Sequence, residues 1–415
     1  MKLVFVSNYI NHHQIPFCNA MYETLEGSFA FIQTEAVEQE RIRMGWKETQ
    51  ELPYLKLYDQ EPEACRRLIQ EARVVLFGGT DEECYIQKRL KAGKAVIRYS
   101  ERLYKTGQWK AASPKGLRKK YHDHTRYRKE KVYLLCAGAY VPSDFHIVRA
   151  YPGKMYRWGY FTEARHYDVD QLLKNKGWQE KERMVYLLWA ARMIDWKHPE
   201  LAVETARHLQ EKGIKFHMDL IGDGPLREQT ENLARKYGLE GCVDFLGFQT
   251  PEKVRDYMEK ADIFLFTSDR QEGWGAVANE AMNSGCALVA DHMIGAVPYL
   301  VKDGINGLVY EDGNTMELFG MTERLATDRE LAGRLGRNAY ETITKVWNGE
   351  NAAARLGELC IRLGLLEEGD FKEKSGSGTG TAAETGKEPP KEGPCSAAPV
   401  ISERRMYRLL KGKDC

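Results

Sequence analysis

Apolar positions over the first part of the chain fall into short, dense runs rich in Val, Ile, Phe and Tyr. Stretches whose apolar residues recur every three or four positions separate them. The runs "KLVFVS", "SFAFIQ", "YLKLYD", "RVVLFGG", "KAVIRYS" and "KVYLLCAG" read as buried strands, and residues 13–26 and 62–72 and the stretch up to Gly93 read as helices. Thr80 and Glu83 have the spacing of a capping box for the last of these, and Gly93 suits a left-handed C-cap. Strands spaced by helices predict a parallel sheet covered on its faces.

After "KMYRWGYFTE" (154–163) a polar stretch intervenes and the alternation restarts. Here "MVYLLWAARM", "KFHMDLIGDG", "CVDFLGF", "ADIFLFTS" and "CALVAD" read as strands, with helices over 198–213, 225–238 and 250–260. The fold class expected is α/β, two Rossmann-like domains facing each other across a cleft, since ligands of such sheets sit beyond the carboxyl ends of the strands. The boundaries expected are an acceptor-side domain over 1–160, a ligand-binding domain over 161–345 and a helix over 346–366 returning to the first domain. Residues 367–415 read as a disordered tail, because "EKSGSGTGTAAETGKEPPKEGP" has almost nothing to bury. Its last stretch, "ISERRMYRLLKGK", has the spacing of a short basic amphipathic helix.

A length of 415 residues supports two cores, because single cores stop growing at roughly 250–300 residues. A net charge of +1 gives no global attraction to nucleic acid, and none is expected as a partner. The nine cysteines are scattered without metal-like spacing, which suggests reduced thiols in the cytoplasm. No apolar stretch is long enough to span a membrane, and "MKLVFVSNY" is too short for a signal peptide.

The candidate chemistry lies in the second half. The turn "DRQEGWG" follows a strand and opens a helix whose first amides lack helical partners, an arrangement that binds phosphate. Gly273 and Gly275 let the backbone approach a ligand. Glu272 stands on the tip of the turn, and Glu280 lies one helical turn after Ala276, its side chain tilted back towards the same ligand. Two carboxylates would repel a phosphate, so they should accept hydrogen bonds from hydroxyls on either side of it, the layout of a nucleotide diphosphosugar. Arg192 and Lys197, after the first strand of this unit, supply cations for the diphosphate. "LIGDGPL" adds another glycine turn at Gly222, and "FLGF" ends a strand at Phe248, where a base could lie.

From about 184 to 311 these residues resemble the retaining GT-B glycosyltransferases of glycosyltransferase family 4, in "ARMIDWK", "LIGDGPL", "VDFLGF", the Glu-x7-Glu of "EGWGAVANEAM" and "GAVPYLVKDGINGLVYED". The resemblance implies a GT-B fold and metal-independent transfer of a hexose from a nucleotide diphosphosugar with retention, with no cofactor. It also implies roles: Arg192 and Lys197 on the diphosphate, Glu272 on the donor sugar and Glu280 on the ribose. Gly273, Trp274, Gly275, Ala276 and Val277 would line the sugar and phosphate. A glycan or lipid-linked acceptor is expected, in cell-surface polysaccharide or glycolipid synthesis. A phosphorylase or epimerase using the same cleft, and a non-catalytic sugar-nucleotide or RNA-binding protein, are the rival readings.

Two departures from the family pattern stand in the first half. "SNYINHHQIP" has no glycine, and "RYSERLYK" offers Glu101 where the family often has a histidine. Glu101 either takes that part or pairs with Arg98 or Arg102. His12 and His13 face the expected cleft as acceptor or donor-sugar contacts, whereas His122 and His124 have metal-like spacing but no neighbouring ligand cluster. Between Lys105 and Lys131 there are ten Lys and Arg against two acids, interleaved with Trp109, Tyr121 and Tyr127. That composition fits a solvated helix, an RNA-binding stretch, or peripheral contact with an anionic membrane such as the inner face of the plasma membrane.

Overall fold

The computed structural model describes residues 1–38, 42, 51–177, 183–372 and 391–413, so residues 373–390 of the expected disordered tail lie outside it. Chain contacts divide it into two units, residues 1–163 with 347–401 and residues 164–346 with 402–415.

Seven strands of the first unit pair in parallel in the order β3-β2-β1-β4-β5-β6-β7. They are β1 Leu3–Ser7, β2 Phe29–Gln33, β3 Leu55–Leu57, β4 Val74–Phe77, β5 Val96–Ser100, β6 Val132–Ala137 and β7 Met155–Trp158. β1, β2, β4 and β6 are buried at every position, as expected of parallel strands covered on both faces. One core packs Val4, Val6, Ile32, Val75, Leu134 and Phe145 beneath the helices. The helix Gly349–Arg362 belongs to this unit, and Gly349 lies so close to the start of Ile15–Thr24 that a Cβ there would meet the Pro16 carbonyl carbon at 2.6 Å.

Six strands of the second unit run β10-β9-β8-β11-β12-β13, again all parallel. They are β8 Val185–Ala190, β9 Phe216–Ile221, β10 Val243–Gly247, β11 Ile263–Phe266, β12 Ala287–Asp291 and β13 Leu308–Tyr310. The order reverses direction between β8 and β11, and at such a switch point the loops leaving neighbouring strands diverge to opposite faces and open a crevice. The core here joins Trp189, Met218, Leu220, Leu265 and Val289 to the helices Pro199–Glu211 and Arg329–Lys345.

Three local readings are corrected. Glu83 does not close a capping box on Cys84–Lys91; it makes no cap bond, and both its oxygens are taken by Arg98, at 2.5 and 2.7 Å. A bidentate pair with a buried guanidinium outweighs one neutral cap bond. Tyr127 is not part of an exposed aromatic series; it is 8% exposed and joins the first unit's core. Residues 391–413 are docked: Cys395 to Ala398 pair with the edge of β7, and Glu403–Leu410 is a helix on the second unit with Met406 and Tyr407 buried.

Candidate active site

Three loops converge beyond the carboxyl ends of β8, β9 and β11, and backbone bonds lace them together. Ala191 N donates to Ile221 O (3.0 Å) and Met193 N to Asp223 O (2.9 Å), joining the β8 and β9 loops. The approach requires glycine: a Cβ on Gly222, whose φ is +134°, would lie 1.8 Å from Ala191 O. Gly222 N also donates to Gly247 O (2.9 Å), which brings in the end of β10 and the exposed ring of Phe248.

The β8 and β11 loops are joined by side chains as well. Thr267 receives a hydrogen bond from the Trp189 indole (2.9 Å) and donates to Lys197 O (2.8 Å), while Asp269 N donates to Trp196 O (3.0 Å). The Lys197 ammonium forms an ion pair with the Glu272 carboxylate and stands 4.3 Å from the centre of the Trp196 ring. The structure thus brings Lys197 and Glu272, far apart in sequence, into one largely buried pair. Arg192 stays exposed on the same loop.

The turn between β11 and the helix Val277–Asn283 is held from behind. Gly295 N donates to Glu272 O and Ala296 N to Trp274 O, both at 3.1 Å. Trp274 is fully buried, its indole donating to Asn279 (2.9 Å), so its side chain anchors the turn. Gly275 has φ +91° and sits under the Phe266 ring, where a Cβ would lie 2.4 Å away. Ala276 and Val277 follow as the half-buried start of the helix. Glu280 lies in its first turn; burial pushes its carboxyl up to about 7, against the opposing pull of Arg255 and Arg165.

His198 was not picked out in the sequence. It adopts a left-handed conformation (φ +50°) and lies between Asp269 (3.7 Å from Nε2) and Glu200 (2.7 Å from Nδ1). These two carboxylates raise it to about 10, so it is a cation at neutral pH. Only the left-handed kink before Pro199, which turns the ring towards the β11 loop, explains its place, and sequence spacing does not show that.

In the first unit, His12 and His13 follow β1 with ring centres 3.8 Å apart, and His13 stacks on Tyr160 at 5.8 Å. The Tyr160 hydroxyl donates to Glu101 (2.5 Å), which also pairs with Lys105 (2.6 Å). Glu101 therefore pairs with neither Arg98 nor Arg102, which are drawn to Glu83 and Asp144. His124 is buried against the Tyr151 hydroxyl (2.7 Å).

Among the described residues of the second unit, one group has ligand atoms close enough for a cation, on β9 and β10. The His217 imidazole lies 2.9 Å from Asp219 and 3.6 Å from Asp244. The 2.9 Å contact between the imidazole and Asp219 is that of an ordinary hydrogen bond, which accounts for the cluster without an ion.

Residues 170–342 match the sequence profile of the glycosyl transferases group 1 family. The chain carries a group 1 glycosyltransferase domain. Among curated proteins, this domain region is similar to the alpha-D-kanosaminyltransferase of Streptomyces kanamyceticus, 27% identical over 215 residues, or 51% of this chain and 55% of that one. It is also similar to the putative glycosyltransferase EpsF of Bacillus subtilis, 36% identical over 185 residues, 43% and 44% of the two chains. The chain therefore spans about half the length of these relatives. Among solved structures, Anabaena HepE in complex with UDP aligns with a TM-score of 0.63 at 15% identity, covering 87% of this chain and all of that one. The sucrose-phosphate synthase of Thermosynechococcus elongatus aligns at 0.60 and 15%, covering 87% and 98%. The fold is GT-B, with the group 1 domain forming most of its second unit.

Proposed function

We propose that the protein is a retaining, metal-independent glycosyltransferase that moves a hexose from a nucleotide diphosphosugar to a glycan or lipid-linked acceptor, in polysaccharide or glycolipid synthesis. The observation that carries this reading is the Lys197–Glu272 pair, which joins the cation loop after β8 to the glycine turn after β11 at one sheet edge. A cation and a sugar-facing carboxylate are thereby set side by side, where a sugar–phosphate bond would have its two ends. Arg192 and Lys197 stabilise the charge that grows on the diphosphate as that bond breaks, and Glu272 accepts from a sugar hydroxyl. Glu280 holds the ribose, Gly222 and Phe248 border the base, and the Gly273–Val277 backbone lines the phosphates. HepE of Anabaena, solved with UDP and with UDP-glucose, supports a donor of this class. In the first unit, His12, His13 and Glu101 are proposed to contact the acceptor or the transferred sugar, and residues 105–131 to touch an anionic membrane.

The test separates the two glutamates. Glu280→Gln should weaken binding of the free nucleoside diphosphate, and Arg192→Ala should weaken it about 10- to 150-fold through loss of a charge-assisted bond. Glu272→Gln should not weaken free-nucleotide binding, because it releases Lys197, yet kcat and kcat/KM should both fall at least about tenfold. Calorimetry and steady-state kinetics read these; wild-type nucleotide affinity in all three variants, with full activity, would overturn the assignment.

A further inference from the structure

The Glu403–Leu410 helix binds the second unit at the loops that build the donor turn. Arg270, two residues before Glu272, reaches Glu403 at 3.4 Å and Asp312 at 4.0 Å. The Tyr407 hydroxyl donates to Glu317, 2.8 and 2.9 Å from its two oxygens, and the Tyr407 ring lies 5.1 Å from that of His292. Lys411 pairs with Asp303 at 3.0 Å.

His292 immediately follows β12, and its Nδ1 accepts from Asp312 N at 3.2 Å. Three residues on, Gly295 donates to the carbonyl of Glu272, and a Cβ on Gly295 would lie 1.8 Å from Gly273 O. The helix thus touches the turn directly through Arg270 and from behind through the His292–Gly295 loop.

We propose that this helix is a positioning clamp for the donor turn, with Glu403 and Tyr407 fixing the loops that hold Glu272 and Gly273 in place. The proposal rests on the reading of the β11 turn as the donor site. Ordering backbone on binding costs conformational entropy, so a turn ordered before the donor arrives binds it more tightly. An eight-residue helix is too short to persist alone in water, so its order comes from this docking and can be removed without cutting into either sheet.

The experiment compares the full chain, a chain ending at Ile401, and full-length Glu403→Gln. UDP, GDP, ADP and dTDP are each titrated by calorimetry, and amide exchange is followed over residues 267–276. The shortened chain should bind the preferred nucleotide about tenfold more weakly. Its KM for the matching nucleotide sugar should rise while kcat at saturation holds, and amides 269–275 should exchange faster. A peptide of residues 402–413 added in trans should restore affinity, and a scrambled peptide should not. Glu403→Gln, which keeps the helix, should speed exchange over 269–275 and leave β9 unchanged. If the shortened chain melts earlier but binds nucleotide and exchanges at 269–275 like the full chain, the helix is structural only and the clamp is overturned. If the full chain binds no nucleotide, the clamp and the donor-site reading fall together, whereas binding that is lost in Arg192→Ala but untouched by truncation sinks the clamp alone.

Discussion

Glu280 carries a conflict between stability and recognition. Burial raises its carboxyl from an ordinary 4.5 to about 7, so the folded protein holds that proton more tightly than the unfolded chain. The stability supplied by the protonated form is full below 4.5 and is lost as pH rises through 7, where the buried group must ionise. Glu280→Gln, which cannot ionise, should therefore melt higher than the wild type at pH 8, and the gap should close at pH 5. Calorimetric melts at the two pH values check this; an equal gap at both would show that the carboxyl is not held up. Taken with the expected loss of nucleotide affinity, a stabilised variant that binds less well is the signature of a residue kept for its ligand. The pairing of Lys197 with Glu272 was legible only in part. Both residues stood out as ligand contacts, but that they meet each other depends on Thr267 and Asp269 drawing the two loops together.

The turn after β11 depends on glycine where no other residue fits. Gly275→Ala sets a Cβ against the Phe266 ring in a left-handed conformation and should cost roughly 1–3 kcal/mol in a urea titration. A change under a few tenths would mean that the ring moves aside freely. Most strands were legible because parallel strands buried on both faces must be nearly continuous apolar runs, as "KLVFVS" and "CALVAD" are. β7 and β13 are not legible as strands. β13 has only three residues, and β7, "MYRW", is half-buried, so neither shows such a run. The cap expected from Thr80 and Glu83 fails for a different reason: local spacing cannot report a partner fifteen residues away, Arg98 on β5. The helix near the chain's end is legible in "ISERRMYRLLKGK", but its docking is hidden by composition, since only two buried side chains, Met406 and Tyr407, sit among exposed arginines.

Across the molecule, charge is balanced overall but unevenly placed. The helix Pro114–Asp123 has no buried residue, and Leu117 and Tyr121, one turn apart, are exposed beside Arg118 and Lys119; Trp109 is 73% exposed. Apolar tips among cations fit an anionic bilayer surface, where each basic residue contributes about 1 kcal/mol. Sedimentation with vesicles containing anionic lipid should fall with added salt and fall in a variant carrying both Arg118→Glu and Lys119→Glu, whose melting temperature should match the wild type. Equal sedimentation with neutral vesicles would overturn membrane contact.

The pairing of residues 395–398 along β7 has a bearing on how copies of this protein behave when crowded. An open strand edge is a template on which another chain can build, and each of the four edges here is blunted. β7 is covered: Arg157 N donates to Ser396 O and Cys395 N to Arg157 O, both at 2.8 Å. β3 and β13 offer three residues each, too short to recruit a neighbour, and β3 carries Lys56. β10 shifts register between Phe245 and Gly247 and turns the exposed carboxylate of Asp244 outwards. Among the described residues, two sheets of thirteen strands thus present little for a foreign strand to extend.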